Sequence, residues 1–140
     1  MTKKLIGIDF GLAKIGLSIS DPSKIISIPL KVISYKQDNE LFAKLKSIAL
    51  DNNVDTFIVG YPLNMNNEKN EMTKLVEDFS DKLKDMNFKV FFQDERLSSE
   101  SAKKIMQDQN IKTGENKEQI DLIASTIILQ SFLDLSLIHI

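Results

Sequence analysis

Cysteine and tryptophan are absent from these 140 residues, and there is one histidine, one arginine, three prolines and five glycines. The missing cysteine excludes thiol catalysis, zinc-thiolate centres and a disulfide framework. The lone histidine, His139, lies in the tail Leu137-Ile138-His139-Ile140, so imidazole chemistry has little to be built from. No apolar run is long enough to span a bilayer. Met1-Thr2-Lys3-Lys4 leads into a short one that Asp9 interrupts, which resembles neither a signal peptide nor a spanning helix. The expected location is therefore the cytoplasm, with no membrane partner. An excess of positive charge is missing too: net charge is −2 and the sequence pI about 5.4, so the molecule as a whole does not advertise nucleic-acid binding, although a local basic rim could still supply it.

What is present is ordinary for a folded domain, 42% hydrophobic and 27% charged residues, and the length predicts one core in a single domain over residues 1–140. Ile6, Ile8 and Phe10, then Ile15, Leu17 and Ile19, alternate on either side of Gly11-Leu12-Ala13-Lys14, which predicts a hairpin. A third strand follows over about 25–34, with Pro29 suggesting a sheet edge. Asp38 or Asn39 is placed to cap a helix carrying Leu41, Phe42, Leu45, Ile48 and Ala49. Phe57-Ile58-Val59-Gly60 reads as a central strand apolar on both faces. A polar loop then leads to a helix with Met72, Leu75, Val76, Phe79 and Leu83 on one stripe. The last strand spans 88–92, a helix capped by Ser98 or Ser99 follows through Ala102, Ile105 and Met106, and residues 109–118 read as a loop. The final helix, about 117–135, is apolar almost all round and is expected to be buried. The sum is an α/β fold: a mixed five-stranded sheet flanked by helices.

Three acids are costly where they fall. Asp9 interrupts an apolar strand, Asp121 lies on the apolar last helix above Ala124, Ser125 and Ile128, and Glu95 stands just past the last strand, where α/β proteins commonly place sites. Singly, each has a structural explanation: hydrogen bonds from the Gly11 turn for Asp9, the helix dipole for Asp121, and pairing with Arg96 for Glu95. Together, and without cysteine or a usable histidine, they suggest oxygen ligands for a hard divalent cation such as magnesium or manganese.

Four blocks, Gly7-Ile8-Asp9-Phe10-Gly11 with Lys14-Ile15-Gly16 and Ser20-Asp21, Val59-Gly60-Tyr61-Pro62-Leu63-Asn64-Met65, Asp94-Glu95-Arg96-Leu97-Ser98, and Ile120-Asp121-Leu122-Ile123-Ala124, run through nearly the whole chain. In that order they resemble the YqgF family, also called RuvX. The resemblance implies an RNase H-like fold and a metal-dependent nuclease that processes the 5′ end of pre-16S ribosomal RNA in ribosome biogenesis, with Holliday junction resolution as the alternative. It implies Asp9, Glu95 and Asp121 as catalytic and metal-binding residues, and two divalent cations, Mg or Mn, bridged by Asp9. Lys14, Asn64, Arg96 and Lys117 are the candidates for contact with nucleic acid. An RNase H-like strand order would set Asp9 and Glu95 about two strands apart, with Gly60 between them leaving room for a cation and a phosphate. Lys14 and Ser125 depart from the family's usual arginine and alanine, and the asparagine-rich loop after Met65 lacks a glycine often found there.

Other classes compete. Asp-x-Gly before a glycine-containing hairpin also resembles the phosphate-binding element of actin-like and sugar-kinase ATPases, but those need two such domains. A non-catalytic nucleic-acid-binding module would retain the fold without needing all three acids. Monomer and homodimer are both compatible with the residues, and so are pre-rRNA and branched DNA as partner.

Overall fold

A computed structural model describes residues 3–96, 104–105 and 117–138. β1 (Lys4–Asp9), β2 (Lys14–Ser20) and β3 (Ser27–Ser34) form an antiparallel meander, followed by α1 (Asp38–Asp51), β4 (Val54–Tyr61), α2 (Glu71–Asp85), β5 (Lys89–Asp94) and α3 (Lys117–Ile138). The strand order is β3-β2-β1-β4-β5, with β4 parallel to both β1 and β5. This is the mixed five-stranded sheet that the alternation predicts, with β5 two places from β1. Pro29 does lie on an edge strand, where the β2–β3 register shifts between Leu17 and Ser18.

Strand alternation divides the sheet into two unequal faces. Ile6, Ile8, Ile15, Leu17, Phe57 and Val59 point to the side covered by α1 and α2, where they meet Leu41, Leu45, Val76, Phe79 and Leu83 in the main core. Leu5 and Ile58 point the other way, against Ile128, Leu129 and Leu133 of α3. Asp9 falls in the phase of Leu5 and Gly7, and so faces α3.

Several local expectations are corrected. The N-cap of α1 is Gln37, without a side-chain cap bond. Asp38 is already in the first turn, where its charge suits the helix dipole and faces Lys82 at 3.4 Å. β4 and β5 run beyond 57–60 and 88–92 because parallel pairing extends from Thr56–Lys89 to Tyr61–Asp94, which periodicity cannot foresee. α3 is not buried all round: Ala124, Ser125, Ile128, Leu129 and Leu133 are, whereas Ile123 and Ile127 are half-buried and Leu135 is exposed. A single helix laid on one sheet face buries only the stripe that meets the sheet. The expected cap at Ser98 or Ser99, Ala102 and Met106 of that helix, most of the 109–118 loop, and His139 lie outside the described residues; 104–105 have helical backbone.

Candidate active site

Asp9 ends β1 between two glycines on neighbouring strands. On one side it pairs with Gly16 of β2; on the other, the register that sets Ile8 beside Val59 brings Gly60 of β4 next to it. Both glycines permit close approach. A Cβ on Gly16 would collide with the backbone carbonyl of Asp121 and lie 3.2 Å from its Cβ, so α3 rests directly on β2 and carries Asp121 to the flank of Asp9. A Cβ on Gly60 would stand 2.6 Å from Glu95 Oε2 and 2.7 Å from Ile128 Cδ1. The space left by Gly60 is thus filled by the Glu95 side chain, which reaches across β4 to hydrogen-bond with Asp9. This corrects the expectation that the gap would stay open for a cation and a phosphate.

Burial is the largest cause pushing the Asp9 carboxyl up to about 8, followed by the negative charges of Glu95 and Asp121. The Glu95 carboxyl is also raised, first by burial and, against the opposing hydrogen bond from Asp9, by the charge of Asp94. A half-buried carboxyl with two other carboxylates within electrostatic reach is an unfavourable arrangement unless protons or cations neutralise it. Among the described residues no preformed cluster of three ligands stands ready: Asp9 and Glu95 are joined to each other, as two carboxyls sharing a proton would be. The donor set, all carboxylate oxygen, nevertheless suits a hard divalent cation, which would replace the shared proton.

Beside these acids lies a cleft of about 370 Å³, lined by Gly11, Leu12, Ala13, Lys14 and Asp121. Lys14, at its rim, pairs with Glu118 at 3.1 Å. The side chain of Lys117 lies outside the described residues, although its backbone begins α3. Asn64 is held within its own loop, its Oδ1 accepting from Asn70 Nδ2 at 3.0 Å and its backbone N–H donating to the Glu68 carbonyl at 2.8 Å.

Arg96 faces inward. Its Nε and Nη2 donate to Asp94 at 2.6 to 3.1 Å, and its Nη1 donates to Asn67 Oδ1 at 2.6 Å. The guanidinium therefore ties the end of β5 to the 62–70 loop. That loop turns at Asn67, whose φ of 69° is the left-handed conformation a glycine would otherwise supply and asparagine tolerates. At its far end Asn70 caps α2, accepting from Thr73 N–H at 3.0 Å, while the Thr73 hydroxyl donates to the Pro62 carbonyl. Sequence reasoning missed Asp94, Asn67 and Thr73 as supports of the site. The left-handed turn could have been anticipated from the Asn66-Asn67 pair in a polar loop, since asparagine tolerates that conformation.

Ser125 is fully buried on the side of α3 facing the sheet: its hydroxyl donates to the Gly7 carbonyl at 2.9 Å, and Ser18 Oγ donates to the Ser125 carbonyl at 2.8 Å. These bonds fix α3 one turn beyond Asp121, so a serine in place of alanine fastens the helix to the sheet.

A family model described as "RuvX: Holliday junction resolvase" matches residues 3–135. A relative from Mycoplasmopsis synoviae (strain 53), named "Putative pre-16S rRNA nuclease", is 39% identical over 93% of this chain and 96% of its own. One of the same name from Roseiflexus sp. (strain RS-1) is 33% identical over 94% of each. Among solved structures, T. thermophilus RuvC in complex with a Holliday junction substrate superposes with a TM-score of 0.58 at 9% identity, covering 96% of both chains. The Fowlpox virus resolvase bound to junction DNA gives 0.60 at 11%, covering 96% of this chain and 99% of its own. At those identities the structures speak for the RNase H-like fold alone, whereas the sequence matches run nearly end to end: the chain belongs to the RuvX family.

Proposed function

We propose that this chain is a divalent-metal-dependent endonuclease that hydrolyses a phosphodiester bond in the 5′ leader of pre-16S ribosomal RNA, in the cytoplasm. One observation carries the reading: Asp9, at the end of β1, is hydrogen-bonded to Glu95 and within electrostatic reach of Asp121 on α3, and is pushed up to about 8 by burial and by the other two. The substrate follows from the names of the relatives that match over nine-tenths of the chain. Asp9, beside both other acids, would be shared between the ions, with Glu95 and Asp121 as the remaining carboxylates that would hold them. Mg or Mn ions held by these carboxylates would supply the Lewis acidity for phosphodiester hydrolysis. The protein's own part is positional. Gly60 and Gly16 let Glu95 and α3 close on Asp9, Arg96 holds the 62–70 loop against β5, and Lys14 exchanges Glu118 for a substrate phosphate at the rim of the cleft.

Junction resolution in DNA is the second reading, favoured by the description of the family model. A cleavage assay with Mg or Mn on matched pre-rRNA and four-way-junction substrates decides between them. The expected result is cleavage of the RNA that Asp9→Asn abolishes. Preferential cutting of the junction would replace the substrate, cleavage unchanged by Asp9→Asn would overturn the site, and failure to cut either would leave a nucleic-acid-binding module.

A further inference from the structure

β5 is an edge strand with an unusual surface. Phe91 is 50% exposed, and its ring meets Phe132 of α3 at a centroid distance of 5.9 Å. An exposed aromatic on an open sheet edge is a liability that folds normally avoid. Here it lines a cleft of about 320 Å³ between α3 and β5, with Lys24, Lys89, Thr56, Phe132 and Ser136 among the other lining residues and no acidic one among the described residues. Alternation along β5 puts Lys89, Phe91 and Gln93 on the α3 side, and Glu95 continues the same phase over Gly60 against Ile128. Ile128 and Phe132 are one helical turn apart on α3. The carboxylates and the aromatic cleft therefore lie on the same face of the sheet, about 13 Å apart along β5.

We propose that this cleft binds a single-stranded nucleic-acid segment near the cleaved bond, a base stacking on Phe91 and Phe132 and phosphates meeting Lys89 and Lys24. The inference rests on the nuclease reading and supplies what that reading lacks, a place for the strand beyond the metal site. Three features select the occupant: aromatic faces suit any base, two lysines with no lining acid among the described residues suit a phosphate chain, and the cleft lies on the same sheet face as the carboxylates.

The test is fluorescence anisotropy with labelled short oligouridylate and oligothymidylate, using Asp9→Asn protein so that the probes stay intact. Phe91→Leu is expected to weaken binding about tenfold or more, whereas Phe91→Tyr, which keeps the ring, retains it. Replacing Lys24 and Lys89 together by alanine weakens binding and flattens its salt dependence. Phe91 is half exposed, so thermal melts of these variants should match the parent. Tighter binding of the uridylate identifies RNA; equal binding identifies a strand read through base faces and phosphates alone. The proposal is overturned if Phe91→Leu and the double lysine variant bind both probes like the parent, or if Phe91→Leu alters only self-association measured by sedimentation, which assigns the cleft to a second copy. Wild-type cleavage that these substitutions leave untouched removes the track and keeps the nuclease. Phe91-dependent binding without wild-type cleavage does the reverse.

Discussion

At Gly60 the absence of one carbon decides where the Glu95 carboxylate sits. A methyl group there would press on Glu95 Oε2 and Ile128 Cδ1, and Glu95, the less constrained of the two, must give way. A displacement of about 1 Å at a reacting group can cost about 100-fold in rate, and overpacking of this kind costs about 1–3 kcal/mol. Gly60→Ala is therefore expected to lower kcat about 100-fold while lowering Tm only modestly, measured on the same cleavage substrate; a variant with full kcat would show that Glu95 need not reach Asp9. The importance of Gly60 was legible in the sequence, since a glycine ends the strand that separates the two acids. Its manner was not. Strand order sets how far apart Asp9 and Glu95 begin, but whether a long side chain or an ion spans the gap depends on rotamers and on α3 pressing from above.

Among the elements, the 62–70 loop shows how two separate sequence blocks become one device. Pro62 to Asn70 leaves β4, Asp94 to Arg96 leaves β5, and Arg96 joins them through Asp94 and Asn67. The prediction follows from Asn67 holding a φ of 69°. Asn67→Gly keeps the turn and loses only the contact with Arg96, whereas Asn67→Ala keeps a Cβ in the left-handed region, a strain of about 1–2 kcal/mol, without the short polar side chain that lets asparagine tolerate it. The expected order of thermal stability is wild type, then Asn67→Gly, then Asn67→Ala. Hydrogen exchange should quicken in the loop for both variants, and for Arg96→Lys, because an ammonium cannot reproduce the fork. Equal exchange in Arg96→Lys and wild type would mean that the loop holds itself. The lone arginine stands out in a lysine-rich chain and its planar fork is what the geometry uses, but the sequence could not show that the fork turns inward to a carboxylate and an amide. The hairpin, the central strand and the α2 stripe were readable because alternation and helical spacing are local. The coverage of α3 was not, because an apolar surface does not reveal how many neighbours it has.

For the whole molecule, the three carboxylates set stability against activity. The folded Asp9 carboxyl titrates near 8 against 3.8 for an ordinary aspartate, so the fold favours its neutral form. That contribution is complete below pH 3.8 and is lost as the pH rises through 8, and the raised Glu95 carboxyl acts in the same direction. Metal-free protein is thus expected to lose on the order of a few kcal/mol between these limits. Asp9→Asn, neutral at every pH, should flatten the profile and, without metal, melt above the wild type at pH 8. Divalent cation reverses the ranking: binding that displaces the shared proton stabilises the wild type by about 2.7 kcal/mol at a hundredfold excess over Kd, and Asp9→Asn should gain much less. Thermal melts from pH 4 to 9, with EDTA and then with Mg or Mn, measure both effects. If wild-type Tm is insensitive to pH in EDTA and the cation raises Tm equally in both proteins, the acids neither repel one another nor bind metal as a group, and the cost of gathering them on one face would need another cause.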